Sequence, residues 1–348
     1  MKNTKKLLVV SGGKSIHTYN LISLIRDYFS KTLLITDYDN KEEKDVEKKI
    51  ISFSFKNPIK IIASLLSIRK TIKEFKPNFI VMYQVDTSAM MTLIINRGRI
   101  PTLIMAMGSD ILINKDKGFF HRMLIKYVLN KAKYHSTGSM WVADNMKKLA
   151  SKNIDPLIAN TGFETNIKPK EKQNIIFSNR LHRPLYQIPK IIKAFSLFHK
   201  ENPLWQLVIA GGEDKENLHS LVKELNIESA VKFVGWLNKE ENNYYYEISR
   251  IWVSIPQSDS IAISLMEAMI GGCIPVVSSL PSMKESIEDG KTGIIVTNYD
   301  TNFFERALSL DYPYLLETNL QKARLFGSKE INRNKFFEIF DKEFKEYE

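Results

Sequence analysis

Residues 256–296 read PQSDSIAISLMEAMIGGCIPVVSSLPSMKESIEDGKTGIIV, and their order of polar and apolar runs decides the fold. A strand is expected to end at Pro256, a loop to carry Asp259, and a helix to begin near Ser264 with Glu267 in its first turn. A second strand follows at Ile274–Val277. A helix start with uncommitted N–H groups and a serine hydroxyl is a ready site for a diphosphate. A carboxylate just inside that helix can accept bonds from ribose hydroxyls, and one in the preceding loop can meet a sugar ring. Gly272 and Pro275 read as packing residues between helix and strand, and Cys273 as a small core side chain.

Working outward, the same strand–helix alternation fills the chain, the pattern of parallel α/β structure. Upstream, strands are expected at Ile175–Ser178, Gln206–Ala210, Val231–Val234 and Ile251–Ile255, with helices at Gln187–Lys200 and about Asn217–Leu225. The polar stretch 157–174 interrupts the alternation and marks a domain boundary. Before it lie strand candidates Leu7–Ser11, Thr32–Thr36, Phe79–Met82, Thr102–Ala106 and Tyr134–Thr137. The charged run NKEEKDVEKK (40–49) reads as a solvated loop or helix end. Two successive Rossmann-like halves result, 1–165 and 166–330. A final amphipathic helix, 331–348, carries Phe336, Phe337, Phe340 and Phe344 on one face and is expected to cross back to the first half.

The first strand runs into LLVVSGGKSIHTY (7–19). A P-loop needs a glycine five residues before Gly13, where Leu8 stands, and the dinucleotide fingerprint needs a third glycine that does not follow Gly12 and Gly13. What remains is a strand-to-helix turn whose small residues let a ligand approach the backbone, with Lys14 and Ser15 as bystanders. Asp37-Tyr38-Asp39 has the spacing of a divalent-cation site on a diphosphate, but at a strand end it reads as a turn.

Composition bounds the rest. At 348 residues and 44% apolar content the chain is long enough for two sizeable cores, and wholesale disorder is excluded. One cysteine permits no intramolecular disulfide, and no Cys/His cluster has zinc spacing, so a reducing cytoplasm fits. The amino-terminal apolar run is too short for a signal-peptide core, and the longest apolar stretches fall short of a membrane span. A net charge of +11 suits an anionic substrate or an anionic membrane surface. The lysines are spread along the chain rather than gathered in one tract, part of the basicity is compositional, and nucleic acid is not an expected partner.

Asp259, seven residues, Glu267 and then AMIGGCIPVVSS resembles the retaining GT-B glycosyltransferases of family 4, whose hallmark is Glu-x7-Glu followed by a Gly-x-Pro-Val-Val run. Aspartate stands here at the first position. KESIEDGKTGIIV is similar to the family's next motif, and the resemblance extends over nearly the whole chain. IIFSNRLHRPLYQIPKIIKAF looks like the first strand and helix of the nucleotide-binding domain, with Arg180 at the diphosphate-contacting arginine. Tyr186 takes the place of the companion lysine, for which Arg183, His182 and Lys190 are nearby substitutes. LVIAGGEDKENLHSLVKELNIESAVKFVGWL would set Gly211 near the nucleotide and Val234, Gly235 and Trp236 beside the base. PTLIMAMGSDIL resembles a segment in which histidine often stands where Met107 does here, with Gly108-Ser109-Asp110 retained. SGGKSIHTYNL matches the first glycine-rich turn.

The resemblance implies a GT-B architecture, two Rossmann-like domains facing each other across a cleft. It implies transfer with retention from a nucleoside-diphosphate sugar, UDP by default, without a metal or a separate cofactor. Glu267 would take the ribose. Arg180, Ser264 and the helix start would hold the diphosphate, Asp259 with the backbone at Ile261, Ala262 and Ile263 would position the sugar, and Leu265 would also border the donor. Gly12 and Gly13 would border the donor, and His17 and Asp110 the acceptor. That acceptor would be a glycan or an undecaprenyl-diphosphate-linked saccharide in surface-polysaccharide synthesis (O-antigen or capsule) at the cytoplasmic membrane face. A sugar-nucleotide 2-epimerase, or a nucleotide-sugar-binding protein with a decayed site, are the alternative readings. Residues 117–134 mix Phe119, Phe120 and Leu124 with Arg122, Lys126 and Lys131. They suit either docking to anionic lipid or an ordinary packed helix with a basic face.

Overall fold

The computed structural model describes residues 4–13, 16–38, 46–55, 57–163, 167–212 and 216–345. It divides into two compact units, 1–162 with 329–348, and 163–328. The division falls at Gly162/Phe163 rather than 165/166, and the final helix starts at Lys329 rather than 331.

The first unit is a seven-stranded parallel sheet. Its strands are β1 (Lys6–Ser11), β2 (Lys31–Thr36), β3 (Glu47–Ile50), β4 (Phe79–Tyr83), β5 (Thr102–Ala106), β6 (Tyr134–Thr137) and β7 (Leu157–Ile158), in the spatial order 3-2-1-4-5-6-7. Both faces are covered, which is why β1 and β4 read as unbroken apolar runs. Leu8 and Val10 join Ile68, Ala89, Met91, Leu124 and Val128 from helices 58–75, 87–96 and 119–131. Leu7 and Val9 turn to the other face, against Leu21 and Ile25 of helix 16–25 and Phe336 and Phe340 of helix 329–345. Around the two phenylalanines, Tyr28 donates to Asp341 at 2.6 Å, and Tyr134 to Glu343 at 2.7 Å.

Part of the charged run 40–49 is a strand. Residues 39–45 lie outside the described set, but Glu47–Ile50 pairs in parallel with β2. This is an edge strand whose charged side chains stay in water, with Glu47 bridged to Lys31 at 2.7 Å. The polar stretch 157–174 likewise begins with the two-residue strand β7.

The second unit carries β8 (Gln173–Ser178), β9 (Gln206–Ala210), β10 (Val231–Gly235), β11 (Ser249–Ser254), β12 (Ile274–Ser278) and β13 (Ile294–Val296). All are parallel, in the order 10-9-8-11-12-13. Ile176 packs with Ile191, Phe195 and Leu218 of helices 188–201 and 216–224. Ile175 and Phe177 pack with Tyr246, Leu265 and Met269 of helices 239–248 and 263–270. Helix 239–248 opens on a capping box, Asn238 bonding the Glu241 amide while Glu241 bonds back to the Asn238 amide. Two doubly covered sheets of this order are Rossmann-like domains.

Candidate active site

In the second unit β8 and β11 are neighbours where the strand order reverses, and the chain segments leaving their carboxyl ends diverge to open a crevice. Arg180 follows β8 and Asp259 follows β11. The guanidinium joins them: Nη2 donates to Asp259 Oδ2 at 2.6 Å and Nη1 to Ser264 Oγ at 2.9 Å. Tyr186 lies against its face, 4.5 Å from Cζ to the ring centre. A planar, always-charged fork is suited to such a three-sided setting, where a lysine could supply only a point charge. Ser282 fixes the Asp259 backbone by donating to its carbonyl at 2.7 Å. Burial pushes the Asp259 carboxyl above its usual range, and the charge of Arg180 pulls it back.

Helix Ile263–Ile270 starts one residue earlier than expected, with Ala262 at its N-cap, so Glu267 lies in the second turn rather than the first. There it lines a pocket of about 310 Å³ together with Asn179, Leu181, Gly211, Trp236 and Lys239. Burial raises the Glu267 carboxyl, and the Tyr246 hydroxyl and Lys239 oppose that shift. Tyr246 donates to Glu267 Oε2 at 3.2 Å. It accepts from Asn179 Nδ2 at 2.6 Å, and Asn179 Oδ1 accepts from Trp252 Nε1 at 3.0 Å. Such a chain of bonds leaves Glu267 one defined orientation.

Several side chains near the helix start and the end of β10 turn to the core. Leu265 is fully buried in the core and its amide donates to the Ala262 carbonyl, so it offers the site no side chain. Ile261 also packs on the core, and Ala262 is buried. Of the three residues at the end of β10, Trp236 lines the pocket. Val234 packs on the core, and the Gly235 carbonyl takes the Gly211 amide at 2.8 Å. Gly211 has φ +124°, and a Cβ there would lie 2.8 Å from the Arg180 carbonyl, so glycine is required on both counts. Among the substitutes for the missing lysine, Lys190 lies over Tyr299 at 4.7 Å and Arg183 is exposed.

Asn179 and Tyr246 were not legible as site residues. Lys172 Nζ donates to the carbonyls of Tyr246 at 3.0 Å, Glu247 at 2.7 Å and Gly271 at 2.5 Å, joining the carboxyl ends of helices 239–248 and 263–270. A cation there also meets the negative ends of both helix dipoles.

In the first unit, Gly12 and Gly13 leave β1 at that sheet's own order reversal, between β1 and β4. The Gly13 amide donates to Asp37 Oδ1, while Asp39, Lys14 and Ser15 lie outside the described residues. His17 is exposed in the first turn of helix 16–25. Asp110 is 4% exposed and turned inward: its carboxylate accepts from the amides of Val85 at 2.8 Å, Met107 at 3.0 Å and Gly108 at 2.8 Å. It therefore shapes the turns that leave β4 and β5. Asp86, which sequence reasoning passed over, caps helix 87–96 through Oδ1, while Oδ2 lies 2.9 Å from where a Cβ on Gly12 would stand. An aspartate between strand FIVMY and helix TSAMM was the available signal.

Burial, with the charge of Asp110 adding to it, pushes the Asp86 carboxyl up to about 6. The folded state thus keeps a proton that an unfolded aspartate releases near 3.8. Its contribution to stability is full below that value and is lost as pH rises through about 6. Asp86→Asn, an equally good cap, is expected to flatten this part of the curve. Urea midpoints of both proteins across that interval check it, and parallel curves would refute the assignment.

The fold and this crevice define the class, a GT-B glycosyltransferase. Residues 160–310 match the family Glycosyl transferases group 1, and residues 6–137 match Glycosyl transferase 4-like, two matches that together span most of the chain. It is 25% identical over 350 residues to an uncharacterized glycosyltransferase of Haemophilus influenzae, covering 91% of this chain and 92% of that one. A shorter match, 25% over 100 residues, is to the GDP-mannose:cellobiosyl-diphosphopolyprenol alpha-mannosyltransferase of Xanthomonas oryzae, covering 28% of this chain and 26% of that one. Among solved structures, Anabaena HepE in complex with UDP superposes with a TM-score of 0.81 at 13% identity, covering 97% of this chain and all of that one. No helix among the described residues is long and apolar enough to cross a membrane.

Proposed function

We propose that the chain is a retaining glycosyltransferase. It moves a sugar from a nucleoside diphosphate, UDP by default, to a saccharide or lipid-linked saccharide in cell-surface polysaccharide synthesis. The observation that carries this is the Arg180 fork, held between Asp259 and Ser264 at a helix start and beside the pocket that Glu267 lines. Arg180 and the first-turn amides of helix 263–270 hold the diphosphate, Glu267 takes the ribose, and Trp236 borders the base. The HepE complex with UDP supports the choice of base, and the mannosyltransferase acting on a diphosphopolyprenol-linked sugar supports the acceptor class.

In the reaction the bond from the sugar C1 to the diphosphate oxygen breaks with its electron pair on the phosphate. Arg180 and the helix amides are set to stabilise that charge as it develops. The acceptor hydroxyl attacks from the face the phosphate leaves, and the leaving oxygen takes its proton. Asp259 Oδ2 is already bonded to Arg180, which supports this front-face route over a covalent intermediate on Asp259.

Melting the protein with UDP-, GDP-, dTDP- and ADP-sugars tests the donor reading. A ligand at 100 times its Kd stabilises the folded state by about 2.7 kcal/mol. UDP-sugars are expected to give the largest upward shift, and no shift with any nucleotide would sink the proposal. A free epimer formed without acceptor would identify the 2-epimerase instead.

A further inference from the structure

Helix Pro58–Phe75 is apolar on two opposite sides. With about 100° between residues, Ile68, Thr71 and Phe75 form one stripe, buried against the sheet. Ile59, Ile62 and Leu66 recur on the opposite side, 77%, 59% and 58% exposed. Further along that outer face come Arg69, Lys70 and Lys73, all exposed. Helix Phe119–Lys131 repeats the arrangement. Leu124, Ile125 and Val128 are buried, Phe119, Phe120 and Met123 are 79%, 50% and 54% exposed, and Arg122 and Lys126 stand exposed beside them.

The two helix starts are neighbours, since the Phe55 ring meets Phe120 edge-on at 6.0 Å. Helix 87–96 packs against both. Exposed apolar side chains scattered singly are ordinary, but six large ones on the outward faces of two helices that flank helix 87–96 and meet near their starts call for a partner. Its charge selects the partner. In residues 57–75 and 115–131 the acidic side chains are Glu74, paired with Lys70 at 3.8 Å, and Asp116. The basic residues otherwise surround apolar side chains, as on helices that lie in a membrane interface. A second copy would set lysine and arginine against lysine and arginine, which charge complementarity opposes.

We infer that this face of the first unit docks on an anionic membrane surface. The six apolar side chains enter the headgroup–acyl boundary, and Arg69, Lys73, Arg122 and Lys126 meet lipid phosphates. The inference does not depend on the donor or acceptor chemistry, and its test needs neither.

The full chain is sedimented with vesicles of phosphatidylcholine mixed with phosphatidylglycerol, and with phosphatidylcholine alone. Binding is expected for the anionic vesicles only, weakening with salt. Ile62→Ser with Leu66→Ser, and separately Phe119→Ser with Phe120→Ser, should each weaken it about tenfold or more. Lys73→Glu and Lys126→Glu should each weaken it about fivefold. The substituted positions are exposed, so melting temperatures should match the parent and separate docking from folding. Equal binding to both vesicle types, no binding to either, or variants that bind like the parent would overturn the inference. So would a dimer in light scattering that the patch variants abolish while vesicle binding stays unchanged, because the face would then belong to a second copy.

Discussion

Arg180→Ala is expected to lower kcat by about 10²–10³-fold at saturating donor, the effect of removing a preorganised donor to developing negative charge. Two consequences of the change act together. On the proposed reading the leaving diphosphate loses its cation, and Asp259 loses the charge that counters its burial, so its carboxyl shifts further upward. Arg180→Lys should recover little, because an ammonium cannot bond Asp259 and Ser264 at once while lying flat on Tyr186. The check is steady-state release of nucleoside diphosphate with acceptor present, separating kcat from the donor KM. A variant with parental kcat and a raised KM would mean that Arg180 binds ground and transition states equally and does not act on the chemical step.

Asp110→Ala is expected to produce a large loss of stability. Three amides, from Val85, Met107 and Gly108, converge on this one buried carboxylate and would be left without an acceptor. At roughly 1–3 kcal/mol for each orphaned buried group, a total of about 3–5 kcal/mol follows once partial relaxation is allowed. Asp110→Asn keeps one acceptor oxygen but turns an amide donor toward donors, so it should fall between the two. Urea unfolding followed by circular dichroism measures both. A loss below about 1 kcal/mol for the alanine variant would mean the turns re-form around water and do not need the carboxylate.

Much of the architecture was legible because parallel strands covered on both faces advertise themselves. FIVMY is apolar throughout, TLIMA and QLVIA after their first residue, and each is an interior strand. β3 was not legible, because an edge strand with exposed charged residues has neither an apolar run nor an alternation to betray it. Helix 239–248 was not read, although Asn238 and Glu241 carry the capping-box spacing that marks its start. The site divides in the same way. Asp259, Glu267 and Arg180 stand in motifs of contiguous sequence and could be named. The Asn179–Tyr246–Glu267 chain joins residues far apart in sequence and exists only once helix 239–248 packs beside β8. Leu265 shows the opposite limit: a motif position fixes where the backbone goes, while helix phase decides which side chain faces the ligand.

The first unit is assembled from both ends of the described chain, and this bears on the order of events during synthesis. Residues 163–328 form a contiguous stretch that can close as soon as it has emerged. The sheet face of Leu7, Val9 and Phe79, although made first, lacks Phe336 and Phe340 until the intervening unit has been translated. At typical elongation rates that interval is on the order of ten to thirty seconds. During it an apolar sheet face stands uncovered on the nascent chain, so a chaperone that shields such surfaces should be needed early in this protein's life, and truncation before residue 329 should leave the first unit prone to aggregate.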